Sequence, residues 1–192
     1  MTPPPWPEEL LGAPEVPVPD IEWSEVRART GLEFPADYRE FAALYPALII
    51  DEFLRIRHPA GPPDFDLMES WGRFDLRHSW GIFDICRHWG PAEEIIEFDP
   101  VTTRSRTLAP TGGENVFPWG ISDIGPVFGF WLVEDDPSDW TVMLVGQFMQ
   151  WRYRGSLTEF LPDVLSGRVN CPLLPQDWPD PLAGCAVEQL LG

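Results

Sequence analysis

Three groups of side chains in this sequence could do chemistry. The first is Cys86-Arg87-His88, a thiol and an imidazole two positions apart, with Asp84 four positions before the histidine. A zinc site needs three or four converging ligands, and no second Cys/His pair stands at ligand spacing. These residues therefore read as polar groups on a half-buried helix, and no metal is expected. His58, beside Pro59, reads as a loop residue and His78 as a helix-face residue. The second group is Gly120-Ile121-Ser122-Asp123-Ile124-Gly125, where the second glycine falls one position late for a G-x-S-x-G nucleophile elbow. The chain contains no lysine, which removes phosphate-loop and Schiff-base chemistry. The glycines around Trp119 do not match a dinucleotide fingerprint. Neither a catalytic residue nor a cofactor is expected.

The third group is acidic. Asp51 and Glu52 precede a short apolar segment. Asp64, Asp66 and Glu69 lie in or beside a long loop, and Glu134, Asp135, Asp136 and Asp139 mark a hairpin tip. A charge run usually solvates a face. Carboxylates can also stand in for phosphate before a basic protein surface and speed association with it. These nine residues are the candidate partner-binding groups. Trp71, Trp80 and Trp89 are candidate interface anchors, because interfaces favour tryptophan, and equally candidates for core packing.

Composition narrows the function classes. Thirty-one acidic residues face 13 basic ones, all arginine, for a net charge of -18. Such a chain lacks the cationic footprint that phosphate contacts require, so no nucleic-acid partner is expected. No apolar run approaches a membrane span, so no membrane partner is expected. Three cysteines without framework spacing, and no signal-peptide pattern, point to a reducing, cytoplasmic compartment. With 192 residues and 44% hydrophobic content, the chain is long enough for one well-buried domain.

The elements that must position these groups follow from spacing and punctuation. Seven prolines in residues 1–20 argue for an extended arm rather than helix. Asp20 is the expected cap of a helix over residues 21–30, with Gly31 ending it. A second helix should start near Pro35, or at an Asp37/Glu40 capping box, and stop before Pro46. Phe53, Leu54 and Ile56 suggest a short strand, and so do Ile95, Ile96 and Phe98. Leu67 to Arg87 suggests one or two short helices. Trp119 to Pro126 reads as a glycine-punctuated turn, with Gly125 in a conformation open mainly to glycine. It delivers an apolar strand over 127–134. Strands over 140–145 and 148–153 complete an antiparallel meander, with Gly146-Gln147 as its second turn. Ser156 and Glu159 form a capping box for a helix whose apolar stripe is Leu157, Phe160, Leu161, Val164 and Leu165, with Pro162 expected to kink or shorten it. The tail from residue 169 is proline-rich, and Ala186 to Leu191 suggests a terminal helical turn.

The order of three motifs gives a resemblance. Gly31-Leu32-Glu33-Phe34-Pro35-Ala36-Asp37-Tyr38, then Phe117-Pro118-Trp119-Gly120 with Gly125, then the Ser156-capped closing helix ending at Gly167, resemble the SUKH superfamily over residues 21–168. Residues 1–20 and 169–192 are proline-rich additions, and the segment from Asp64 to Glu114 departs from the pattern. The resemblance implies an α+β fold: a central antiparallel or mixed sheet with a C-terminal three-strand meander, flanked by helices. It also implies an immunity protein that binds and neutralises a cognate bacterial toxin, with no catalysis. A nuclease with a basic surface is one such toxin. An intracellular scaffold or regulatory interaction domain is the alternative that fungal relatives suggest.

Overall fold

The computed structural model describes residues 8–67, 94–108, 115–122, 127–146, 149–179 and 186–190. The fold is α+β. Helix α1 is Glu8–Leu11, α2 is Trp23–Thr30, α3 is Ala36–Leu44 and α4 is Leu157–Leu165. The strands are β1 (Ala47–Ile50), β2 (Leu54–Ile56), β3 (Glu94–Asp99), β4 (Arg104–Leu108), β5 (Val116–Ser122), β6 (Phe128–Leu132), β7 (Thr141–Val145), β8 (Met149–Tyr153) and β9 (Val187–Leu190). Among the described residues they form one sheet in the order β4-β3-β8-β7-β6-β5-β2-β1-β9. Every neighbouring pair is antiparallel except β3 with β8, so the sheet is mixed.

The expected meander is present. β6 pairs with β7 through Phe130↔Met143, and β7 pairs with β8 through Leu144↔Trp151. Side chains alternate across these strands. Phe117, Trp119, Trp131, Val142, Leu144, Trp151 and Tyr153 point into the main core with α2, α3 and α4. Val116, Phe130, Met143 and Val145 are buried on the other face. Burial on both faces explains why β6 and β7 read as continuous apolar runs.

Ser156 caps α4 as a capping box with Glu159, and the helix runs through Pro162 without being shortened. Its buried stripe supplies enough packing to tolerate the lost backbone bond. Two side-chain bonds fix it further. Tyr153 donates to Asp163 Oδ2 at 2.5 Å, tying the helix to β8. Thr158 donates to Asp37, tying it to α3. Gly31 ends α2 with φ 75°, as its position predicts.

Several local expectations need correction. Glu22, not Asp20, precedes α2, and it makes no side-chain capping bond. Pro35 precedes α3, so the Asp37/Glu40 box does not form. A helical turn, Glu8–Leu11, interrupts the proline-rich arm because Leu11 buries itself in the core. Residues 187–190 are a strand, not a helical turn. Val187 and Leu190 stand at helical spacing, but the free edge of β1 captures them as β9. Gly146 donates its N–H to Met149 O at 3.0 Å, so it closes the second meander turn rather than occupying its first loop position.

The largest correction concerns Phe117-Pro118-Trp119-Gly120. Trp119 to Ser122, the first half of the expected turn over Trp119 to Pro126, is strand, continuous with Phe117 and Pro118 in β5, and residues 123–126 lie outside the described residues. β5 contains a bulge between Pro118 and Gly120, in the part of the strand that extends past the end of β2. Proline is tolerated there because the ladder is already interrupted. Gly125 lies outside the described residues. The glycine that close packing demands is Gly129: an added Cβ would lie 2.5–2.7 Å from the Trp119 ring. Gly129→Val should therefore destabilise the protein by about 1–3 kcal/mol, because neither the ring nor the central strand can yield. Chemical denaturation checks this; an unchanged midpoint would contradict the packing described.

Candidate partner-binding edge

Strand directions decide which loops meet. Directions alternate from β1 through β2, β5, β6 and β7 to β8, and β3 runs with β8. The β6–β7 tip, the loop after β2, the start of β5, the β3–β4 turn and the cap of α4 therefore emerge at one end of the sheet. The β1–β2 and β7–β8 turns emerge at the other.

This sorts the candidate acids. Glu134, Asp135, Asp136 and Asp139 are exposed on the β6–β7 tip. Asp64 is exposed and Asp66 half-buried in the loop after β2, at the same end. Asp51 and Glu52 lie at the opposite end, with φ 50° and 52°. The Asp51 carboxylate has a structural task there: Oδ1 accepts from Ala186 N at 2.6 Å and so holds the start of β9. Glu69, Asp84, Cys86, His88, His78, Trp71, Trp80 and Trp89 lie outside the described residues.

The tip is held rigidly. Asp136 accepts from Ser138 N at 2.9 Å and from the Ser138 hydroxyl at 2.8 Å, capping a 3-10 turn over Pro137–Asp139. The backbone N–H bond, and then the hydroxyl, hold the Asp136 carboxyl below the ordinary aspartate range, so it keeps its charge. Trp140, buried beneath the tip, donates its indole N–H to Glu134 O at 3.0 Å.

The structure adds a residue that local pattern did not reveal. The α2–α3 loop packs against the tip and brings Glu33 beside Asp135. Two open depressions result, of about 570 and 430 Å³. The first is lined by Phe34, Arg39, Asp136 and Ser138 among others, the second by Arg27, Asn115, Glu134 and Trp140. Both include Glu33, Asp135 and Pro137, so the two depressions adjoin. Arg27 pairs with Glu33 at 3.4 Å across largely exposed side chains, an interaction of little net strength. Only tertiary packing places Glu33 here; in sequence it is one acid between Leu32 and Phe34.

The loop after β2 is pinned from inside. His58, read from sequence as a loop residue, is buried. Its Nδ1 accepts from Ala60 N at 3.0 Å, which leaves Nε2 to donate to Ala42 O at 2.9 Å. The imidazole is therefore neutral, and it joins α3 to the loop that carries Asp64 and Asp66. Burial pushes its pKa down, against the smaller raising effects of the Ala42 carbonyl and Asp66.

Among the described residues, no group of three or more His, Cys, Asp or Glu side chains could hold a metal ion. No helix among them is long and apolar enough to cross a membrane. Comparison with protein-family models, curated proteins and solved structures finds no match for this chain.

His58 yields a signed expectation. Because folding lowers its pKa, the unfolded chain takes up this proton first as pH falls. The stabilisation is complete above about 6.5 and is lost progressively below it. His58→Ala should cost about 1–3 kcal/mol at neutral pH, and the gap to wild type should narrow as pH falls from about 7.5 to 5.5. Urea unfolding of both proteins across that range checks it; a gap independent of pH would contradict the assigned tautomer.

Proposed function

We propose that this chain is an immunity-type protein that binds and neutralises one toxin protein through its acidic loop edge, without catalysis of its own. One observation carries the reading. The topology collects Glu33, Asp64, Asp66, Glu134, Asp135, Asp136 and Asp139 at a single end of the sheet. In a chain of net charge -18, that end presents a fixed carboxylate pattern to solvent. A toxin that binds nucleic acid presents Arg and Lys to phosphate, and such a carboxylate edge competes for the same cations. The order of the Gly31–Tyr38, Phe117–Gly120 and Ser156–Gly167 motifs, which resembles SUKH immunity proteins, supports the same reading.

In the scaffold alternative the proline-rich ends are one route by which several partners could dock. The described parts of both ends pack on the body. Leu11 is buried, Tyr45 donates to Gly12 O at 2.8 Å, and β9 completes the sheet. Gln189 on β9 accepts from Glu15 N at 2.9 Å and donates to Ala13 O at 3.2 Å, joining the two ends to each other.

Co-expression with the products of neighbouring genes tests the function. One product should be toxic alone, tolerated with this chain and co-purified with it. Reversing Glu134, Asp135 and Asp139 together should slow association and weaken its dependence on salt, whereas Glu52→Arg, at the opposite end, should leave the rate unchanged. If no neighbouring product is toxic or none co-purifies, the immunity reading fails. Equal slowing by Glu52→Arg would move the contact away from this edge.

A further inference from the structure

We infer that the loop over residues 58–67 is an acid-released latch: when the His58 imidazole takes up a proton, the loop opens away from α3 while the sheet stays folded. The seat of the ring suits only the neutral imidazole. His58 is 2% exposed. Its Nδ1 accepts from Ala60 N and its Nε2 donates to Ala42 O, so each ring nitrogen already has the partner its neutral state needs. A proton added to Nδ1 would set one N–H donor against another at 3.0 Å and leave a cation enclosed in the protein. The imidazolium cannot stay where the imidazole sits.

The neighbouring groups oppose this only in part. On α3, Ala42 O attracts the Nε2 proton. Tyr38 stays neutral, because burial pushes its pKa above the ordinary range, and its hydroxyl donates to Arg57 O just ahead of the ring. Arg57 turns its guanidinium to Asp64 O at 3.1 Å. Asp66, bridged to His58 along the backbone, attracts the charged ring. Burial outweighs the pull of Ala42 O and of Asp66.

The loop is able to open by itself. It closes on His58: the His58 N–H donates to Phe65 O, and His58 O accepts from Gly61 N and Leu67 N. Gly61 lies so close to the returning chain that a Cβ there would stand 2.8 Å from Phe65 O. The sheet beside the loop has its own supports. β2 is paired on both sides, and Arg57 N donates to Trp119 O at 2.9 Å. Release of the ring therefore frees the loop from α3 without breaking a ladder. Asp64 and Asp66 travel with it, whether or not that end of the sheet binds a partner.

Native-state hydrogen exchange of the full chain, followed by NMR in low urea, tests the latch. Corrected for intrinsic rate, exchange at Ala60 N–H should rise about tenfold between about pH 7.5 and 5.5, the factor by which a released histidine of ordinary pKa gains its proton over that range. That exchange should depend little on urea, because a local opening exposes little surface. The Arg57 amide and the Leu144 amide in β7 should stay more protected, with the steeper urea dependence of larger openings. Ring nitrogen shifts at neutral pH should show Nδ1 bare and Nε2 protonated. In His58→Gln, which keeps a donor for Ala42 O and does not titrate, the rise at Ala60 should vanish. If that variant fails to fold, the wild-type exchange and the ring shifts still decide. A single opening constant and urea dependence shared by Ala60 and Leu144, no rise at Ala60 in acid, a rise that survives in folded His58→Gln, or the opposite tautomer would each overturn the latch.

Discussion

Phe34 is the side chain on which the two layers depend. It comes from the five-residue connection between α2 and α3, yet it is buried at the centre of the aromatic core. Its ring stands edge-on to Phe117, Trp131 and Trp140, at centroid separations of 5.1, 5.8 and 5.5 Å. It also packs against Trp23 of α2 and Tyr38 of α3, at 5.8 and 5.9 Å. One ring thus joins two helices to β5, β6 and the residue that leads into β7. Edge-to-face geometry adds about 0.5–1.5 kcal/mol per pair beyond area burial, so a hub with several partners concentrates stability at one loop position. It also fixes the loop that carries Glu33 against the tip that carries Asp135.

The same economy of parts governs the sheet. Trp119 lies over Gly129, and the bulge at Pro118 lets β5 bend without a second proline-intolerant ladder beside it. The sheet is closed at one edge by β9, which the Asp51 carboxylate and the Gln189 amide hold in place. At the other edge, β4 is exposed and carries Arg104 and Arg106; Arg106 pairs with Glu97 at 2.5 Å. Charged residues on an exposed edge discourage pairing with another chain.

What the sequence revealed, and what it hid, follows from whether the signal was local. The meander and the capped α4 were legible because alternation, turn residues and the Ser156/Glu159 spacing act within a few positions. β1, with only Ala47–Ile50 between Pro46 and a left-handed turn, is too short to show a period. β4 reads Arg-Ser-Arg-Thr-Leu and is exposed on both faces, so it has no apolar alternation to detect. Trp119–Ser122 looked like the start of a turn because glycine and proline usually punctuate, whereas here Pro118 and Gly120 flank a bulge inside a strand. The acids of the tip were legible as a charge run. Glu33 was not, because its place beside the tip arises only when Phe34 docks the loop, and Asp51 was legible as an acid but not as the clamp for β9.

Taken together, the aromatic hub sets the loop, the loop and tip set the adjoining depressions, and strand direction sets which carboxylates share an end. The account therefore predicts one contact edge and leaves the opposite end of the sheet free. Hydrogen-exchange footprinting of the complex with the proposed toxin partner tests this most directly. Added protection should fall on residues 31–36 and 133–140, with the β1–β2 turn and β9 unchanged. Protection confined to the β1–β2 turn and β9, with residues 133–140 exchanging as in the free protein, would contradict the account.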